Sequence, residues 1–192
     1  MEDYKKCQME FTSHVLKACF TKGRSPAFFL AGFVEETAEL VEAIEDKGQD
    51  EWRQNVISEL GDLLWYTHAL IEHLPGGNMH PEEQDESIKV ELKICPENQS
   101  RPPIQPLLLI GKLAGAVKKH LRGDKDWPTM RCRIQAAING AVSSLVALTA
   151  SCLDSNFYEV LKEAMNSNKI KIEARLRLNT IRGDGARETV KN

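Results

Sequence analysis

The sequence predicts an all-α fold, a helical bundle made of two fused helical-repeat halves. Apolar residues recur at the three- and four-residue spacing of amphipathic helices over most of the chain. The second part of the chain also resembles the first as a worn internal repeat. Six of the eight prolines fall in residues 75–106, which marks a linker or insertion between the halves.

Composition limits the classes of function. The chain has 192 residues, of which 42% are hydrophobic and 28% charged, with a net charge of −3, as in an ordinary soluble protein of one domain or a closely fused pair. No excess of Lys and Arg is available to neutralise a nucleic-acid backbone, so we expect no nucleic-acid polymer as partner, although small phosphorylated ligands remain open. No signal peptide and no membrane span are predicted. Five cysteines without a CxxC pair fit a reducing compartment, so the expected location is cytoplasmic.

The first predicted helix covers residues 4–20, where apolar positions alternate with polar ones at helical spacing. Residues 22–26 interrupt it. Ser25 is a candidate N-cap for the next helix, and Pro26 suits its first position. A helical hairpin follows over residues 31–66, with a polar turn around Gly48.

The hairpin carries an unusual set of carboxylates. Glu59 and Asp62 are the only formally charged residues in the run 56–71 and lie one helical turn apart. Flanked by leucines and Trp65, they would lose water as the helix packs, so they require a cation or a proton. Glu36 and Glu39 are also three apart on the first helix, so an antiparallel hairpin brings the two pairs together as an oxygen cage for Mg²⁺ or Mn²⁺.

The competing interpretation of this acidic hairpin is a solvated helix face. For Glu35 and Glu42, the solvated-face interpretation and the metal interpretation are equally good, because neither residue lies in an apolar run. The solvated-face interpretation applies poorly to Glu59 and Asp62, whose neighbours are apolar.

Residues 75–106 form the insertion, and within them residues 87–95 alternate apolar and charged side chains with a period of two. This pattern predicts one short strand, which pairs with a neighbouring copy of the chain unless the segment is simply mobile. Helical patterning resumes over residues 107–121, 130–153 and 157–178.

The second half lacks the acids of the first. Lys112, Gly115, Lys118 and Lys119 lie where the first repeat has glutamates, and Gly140, Ser143 and Ser144 lie in the region of Glu59 and Asp62. A site built from this half could not hold a cation, but its lysines could hold phosphate.

The acidic motifs carry a resemblance to a known family. The run EETAE at residues 35–39 is followed after 19 residues by ELGD at residues 59–62, with Gly32 before it and LGDLLWY around it. The pair resembles the EExxE and ExxD motifs of the MazG-like all-α nucleoside triphosphate pyrophosphohydrolases, a superfamily that includes the dimeric dUTPases. Residues 168–188 are similar to a tail in one branch of these proteins, with Asn-x-x-Lys, Arg and a Gly-x-Gly turn. A solvated basic terminus is the alternative for that tail.

The resemblance implies a bundle of the MazG-like type and a domain order. Residues 1–74 form the active half and 107–178 a degenerate half, with the insertion 75–106 between them and a basic, glycine-containing tail at 179–192. The implied protein is a homo-oligomer, most simply a dimer, with no membrane partner.

The implied activity is Mg²⁺-dependent cleavage of a (d)NTP to the (d)NMP and pyrophosphate, with Mn²⁺ able to substitute, in clean-up of the nucleotide pool. The implied metal ligands are Glu36, Glu39, Glu59 and Asp62, and Glu35 is the implied catalytic residue, which either activates water or supports the metal ligands. The predicted substrate-binding residues are cationic: Lys118, Lys119, Lys171, Arg175, Arg182 and Arg187. Two alternatives stay open, a non-catalytic nucleotide-sensing or interaction module that keeps the cage and a phosphohydrolase of another phosphorylated molecule.

Overall fold

The computed structural model describes residues 2–19, 25–74, 94, 104–124 and 127–177. Within these residues the chain forms six α-helices and no strand, which confirms the predicted all-α fold. The predicted strand lies outside this part of the chain except for Ile94, which is buried. The division into two repeat halves and a tail stays a prediction. The helices are α1 Glu2–Cys19, α2 Pro26–Glu45, α3 Trp52–Glu72, α4 Ile104–Leu121, α5 Trp127–Cys152 and α6 Phe157–Arg177.

Helix α2 begins as the sequence predicts, with Pro26 in its first turn after Ser25. Ser25 holds the extended backbone of an N-cap, but its side chain makes no capping hydrogen bond. A short turn connects α2 to α3, and Glu51 ends this turn with a positive φ of 70°. A connection this short forces the two helices to pack side by side in opposite directions.

Helix α3 is the centre of the bundle, and α1, α2, α5 and α6 all pack against it. It is apolar around most of its circumference, as expected of a buried helix. Its buried polar side chains use the backbone of their own helix: Thr67 Oγ1 donates to the Leu63 carbonyl at 2.7 Å, and His68 Nδ1 lies 2.8 Å from the Leu64 carbonyl. Burial lowers the pKa of His68 to about 4, so this histidine is a neutral core residue.

The second hairpin consists of α4 and α5, which pack on each other, and α6 then crosses back over α1, α3 and α5. Gly61 permits the close approach of α6 to α3, since a Cβ at this position would lie 2.7 Å from the Ala164 carbonyl oxygen. Gly61 stands between Glu59 and Asp62. The absence of its side chain therefore brings α6 directly over the acidic turn of α3.

Candidate metal centre between α2, α3 and α6

Three carboxylates from two helices meet at the interface of α2 and α3. Glu36, Glu59 and Asp62 each offer one oxygen, and these oxygens all lie within 4.8 Å of one another. All three side chains are partly buried. The antiparallel hairpin produces this convergence because Glu36 lies on the turn of α2 that faces the Glu59 turn of α3.

Like charges and burial make this group unfavourable in its ionised form. Burial, followed by repulsion from Asp62, Glu39 and Glu59, raises the pKa of Glu36 to about 8. Burial and repulsion from Asp62 also raise the pKa of Glu59. One buried oxygen of Glu36, Oε2, has no hydrogen-bond partner. At neutral pH the Glu36 carboxyl therefore holds a proton, which a cation binding there would displace.

Glu39 lies beside the tight group of three. A hydrogen bond with the Glu39 side chain is the smallest of the causes that raise the pKa of Glu59, after burial and repulsion from Asp62. Glu35 is exposed, one helical turn from Glu39 on the same stripe of α2. The structure therefore brings Glu36, Glu59 and Asp62 together, places Glu39 next to them, and leaves Glu35 at the solvent edge.

Helix α6 supplies the positive and neutral partners of Asp62. Asn168 Nδ2 donates to Asp62 Oδ1 at 2.5 Å, and the Lys171 ammonium forms an ion pair with Asp62 Oδ2. Lys171 also lowers the pKa of both Glu36 and Glu59. The sequence reasoning did not select Asn168 as a site residue, although its spacing of three from Lys171 repeats the spacing of Glu59 and Asp62 and was a usable signal.

The other predicted cations lie in different places. Lys118 and Lys119 are exposed in the last turn of α4, and Arg175 is exposed on α6 one turn after Lys171. Arg182 and Arg187 lie outside the described residues. Lys171 is a predicted substrate-binding residue that contacts the acidic group, through its ion pair with Asp62.

An open cleft of about 410 Å³ adjoins the carboxylates. Glu59, a member of the acidic group, also lines the cleft, as does the neighbouring Glu39. The indole of Trp52 is held in the cleft wall by its Nε1, which donates to the Ala43 carbonyl at 2.8 Å. The remaining lining residues are polar or small: Glu42, Ala43, Asp46, Gln49 and Asn55.

The residues present fit a hard divalent cation. Carboxylate oxygens are the ligands that Mg²⁺ and Mn²⁺ prefer, and the donor set contains no sulfur or imidazole. The unpaired buried oxygen of Glu36 and the raised pKa values of Glu36 and Glu59 both indicate missing positive charge. Within the described residues, this is the group of acidic side chains that meets the distance requirement for a metal.

Comparison with known proteins relates one stretch of the chain to a family. Residues 24–75 match the MazG nucleotide pyrophosphohydrolase domain family. The matched stretch contains Glu35 and the four proposed carboxylate ligands, whereas Asn168 and Lys171 lie outside it. Neither the curated proteins nor the solved structures give a significant match to the chain.

Proposed function

We propose, on the premise that residues 24–75 carry a MazG nucleotide pyrophosphohydrolase domain, that the protein is a Mg²⁺-dependent nucleoside triphosphate pyrophosphohydrolase. One observation supports this most directly: Glu36, Glu59 and Asp62 converge inside the matched stretch, with the Lys171 ammonium against Asp62. A cationic side chain beside a divalent-ion site suits a ligand that carries several phosphates.

In this proposal Glu36, Glu39, Glu59 and Asp62 hold the ion. Glu39 lies beside the other three and completes the set. When bound, a divalent ion supplies Lewis-acid polarisation of the phosphoryl group and neutralises its charge. Asn168 keeps Asp62 in place, because its amide donates to one Asp62 oxygen and its side chain is fully enclosed.

Glu35 is the proposed base that accepts the proton of the attacking water. It is exposed and shares a stripe of α2 with the residues that line the cleft, so it can reach solvent and the phosphate chain from the same side.

The triphosphate is bound by cations. Lys171 and Arg175 on α6 are the nearest proposed contacts, and Lys118, Lys119, Arg182 and Arg187 complete the proposed set. Cleavage at the α-phosphorus leaves pyrophosphate and a nucleoside monophosphate. The cleft beside Trp52 has the volume of a small-ligand pocket and is the proposed place for the nucleoside.

A homodimer, a cytoplasmic location and Mn²⁺ as a substitute for Mg²⁺ are further parts of the proposal. Helix α5 is relevant to the cytoplasmic location, because its segment Thr129–Cys152 is long and apolar enough to cross a membrane. However, 56% of its most apolar window is buried inside the protein, as in the core helix of a water-exposed bundle. Size-exclusion chromatography with light scattering tests the dimer.

Hydrolysis of a panel of nucleoside triphosphates in ¹⁸O-labelled water with Mg²⁺ tests the reaction. Attack at the α-phosphorus puts the label in the nucleoside monophosphate, with unlabelled pyrophosphate as the other product. Label in orthophosphate would overturn the assignment. Nucleotide binding without turnover of any triphosphate would instead favour the nucleotide-sensing alternative.

A further inference from the structure

We propose that Lys171 is an internal counter-ion that takes the place of the divalent cation at Asp62 in the metal-free protein and moves to the phosphate chain when metal and nucleotide bind. The first half of this inference concerns only metal binding. The second half, the move to phosphate, rests on the proposed function.

Both oxygens of the Asp62 carboxylate already have partners on α6. Helix α6 occupies both oxygens of this carboxylate, with Asn168 Nδ2 at 2.5 Å from Oδ1 and the Lys171 ammonium on Oδ2. The Asp62 side chain is only 16% exposed, so water cannot readily replace a lost partner. A divalent ion that uses the Oδ2 atom must therefore displace the ammonium.

The two α6 partners differ in their freedom to leave. Asn168 is 2% exposed and enclosed between α6 and α3, next to Gly61. The Lys171 side chain is 32% exposed and ends a flexible four-carbon stem. Asn168 is thus the fixed support of Asp62, and Lys171 is the exchangeable one.

The balance of charge in the site also favours replacement of the Lys171 ammonium by a divalent ion. One ammonium faces the three carboxylates Glu36, Glu59 and Asp62, whose oxygens lie within 4.8 Å of one another. A single positive charge leaves the site short of compensation, whereas a divalent ion brings two. Release of Lys171 then frees a cation beside the ion, where a triphosphate would need it.

The competing explanation is that Lys171 only ties α6 to α3. In that case its removal weakens the helix interface and leaves the metal affinity unchanged or lower. Competition at Asp62 makes the opposite prediction, since loss of the ammonium removes both a rival and a repelling charge.

Lys171→Met removes the charge and keeps most of the stem. We expect this variant to bind Mn²⁺ about tenfold more tightly than wild type, because a repelling unit charge near the ion is removed. Calorimetric or EPR titration with Mn²⁺ alone measures the affinity, at pH 8.5 to limit proton competition at Glu36. Lys171→Arg retains the charge and should stay near the wild-type affinity.

Lys169→Met is the matched control, because Lys169 lies on the same helix but pairs with Glu10 at 3.5 Å. Its Mn²⁺ affinity should equal that of wild type. Unchanged or weaker Mn²⁺ binding by Lys171→Met would overturn the counter-ion role while leaving the proposed enzyme intact. No Mn²⁺ binding by wild type would overturn both.

A second titration tests the move to phosphate. At saturating Mn²⁺, Lys171→Met should bind an α,β-methylene nucleoside triphosphate about tenfold more weakly than wild type, because one charge-assisted phosphate contact is lost. Lys169→Met should bind it normally. If Lys171→Met and wild type bind the nucleotide with equal affinity, Lys171 does not contact phosphate. That result would overturn the second half of the proposal and leave Lys171 a role in the metal-free protein alone.

Discussion

The two helical hairpins of the bundle have the same architecture but differ in the charges that they carry. Each consists of two helices that pack against each other, α2 with α3 and α4 with α5. The first carries the convergent carboxylates, whereas α4 and α5 contain no Asp or Glu at all. In the second hairpin the buried polar side chains include the hydroxyls of Ser143 and Thr149.

The difference shows what each type of buried polar group requires. A hydroxyl can be satisfied within its own helix: Ser144 Oγ donates to the Gly140 carbonyl at 2.7 Å, and Thr149 Oγ1 to the Leu145 carbonyl at 2.9 Å. A carboxylate accepts only, so an α-helix offers it no partner of its own. The first hairpin therefore depends on α6 for Asn168 and Lys171, and the second has no such dependence.

The largest expected effect is on activity. Asp62→Asn should lower the turnover of a triphosphate on the order of a thousandfold and remove the rise in Tm that Mg²⁺ gives, because one ligand charge is lost. Steady-state kinetics and thermal melts with and without Mg²⁺ measure both effects. Asp124→Asn, in the turn of the second hairpin, is the control and should change neither. A normal Mg²⁺-dependent Tm shift in Asp62→Asn would count against the metal centre.

The next effect comes from placing an acid in the second hairpin. Ser143→Asp should lower the free energy of unfolding by about 3 kcal/mol, because a carboxylate at this fully buried position would be removed from water. Chemical denaturation measures the change, and Mg²⁺ should not restore the loss. Ser151→Asp, exposed on the same helix, should stay within about 0.5 kcal/mol of wild type. Rescue of Ser143→Asp by Mg²⁺ would show that the second hairpin can also form a metal site.

Replacing a glycine by alanine should have opposite effects on the free energy of unfolding in the two hairpins. Gly61→Ala should destabilise by about 1 to 3 kcal/mol, because its Cβ would press on the Ala164 carbonyl oxygen of α6. Gly115→Ala in α4, where a Cβ meets nothing within 4 Å, should stabilise by about 0.5 to 1 kcal/mol through helix propensity. Urea denaturation of both variants decides the point. Stabilisation by Gly61→Ala would mean that α6 does not approach α3 closely.

The smallest effect is a pH dependence of stability in the metal-free protein. The pKa of Glu36 is raised to about 8 in the fold from an ordinary value of 4.5, so between these pH values the folded state holds more protons than the unfolded state. Stability should therefore fall as pH rises through this window and level off above it. His68, with its pKa lowered to about 4, acts in the opposite direction below its ordinary value of 6.5, so its effect fades in the range from pH 7 to 8.5. Glu59, whose pKa is also raised, acts in the same direction as Glu36.

Thermal melts without metal measure this slope. Glu36→Gln should flatten it between pH 7 and 8.5, and Glu45→Gln, exposed at the end of α2, should keep it. The same slope in wild type and Glu36→Gln would assign the dependence to other groups.

The sequence by itself determined the helices. Their bounds follow from local features, such as Pro26 opening α2 and the 157–178 pattern that corresponds to α6 Phe157–Arg177. It also determined that Glu59 and Asp62 need positive charge, because a carboxylate in an apolar run must find a cation or a proton. These conclusions depend on residues a few positions apart, and helix periodicity relates such residues directly.

Only the tertiary structure decided which cation comes to Asp62. Lys171 is 109 residues away along the chain and Asn168 is 106, and both arrive because Gly61 lets α6 cross α3 at that turn. Periodicity along α2 makes Glu36 and Glu39 equally good candidates for metal ligands. Packing, in contrast, places Glu36 with Glu59 and Asp62 and leaves Glu39 beside them. Crossing geometry depends on side-chain volumes from distant segments, and a one-dimensional pattern does not contain that information.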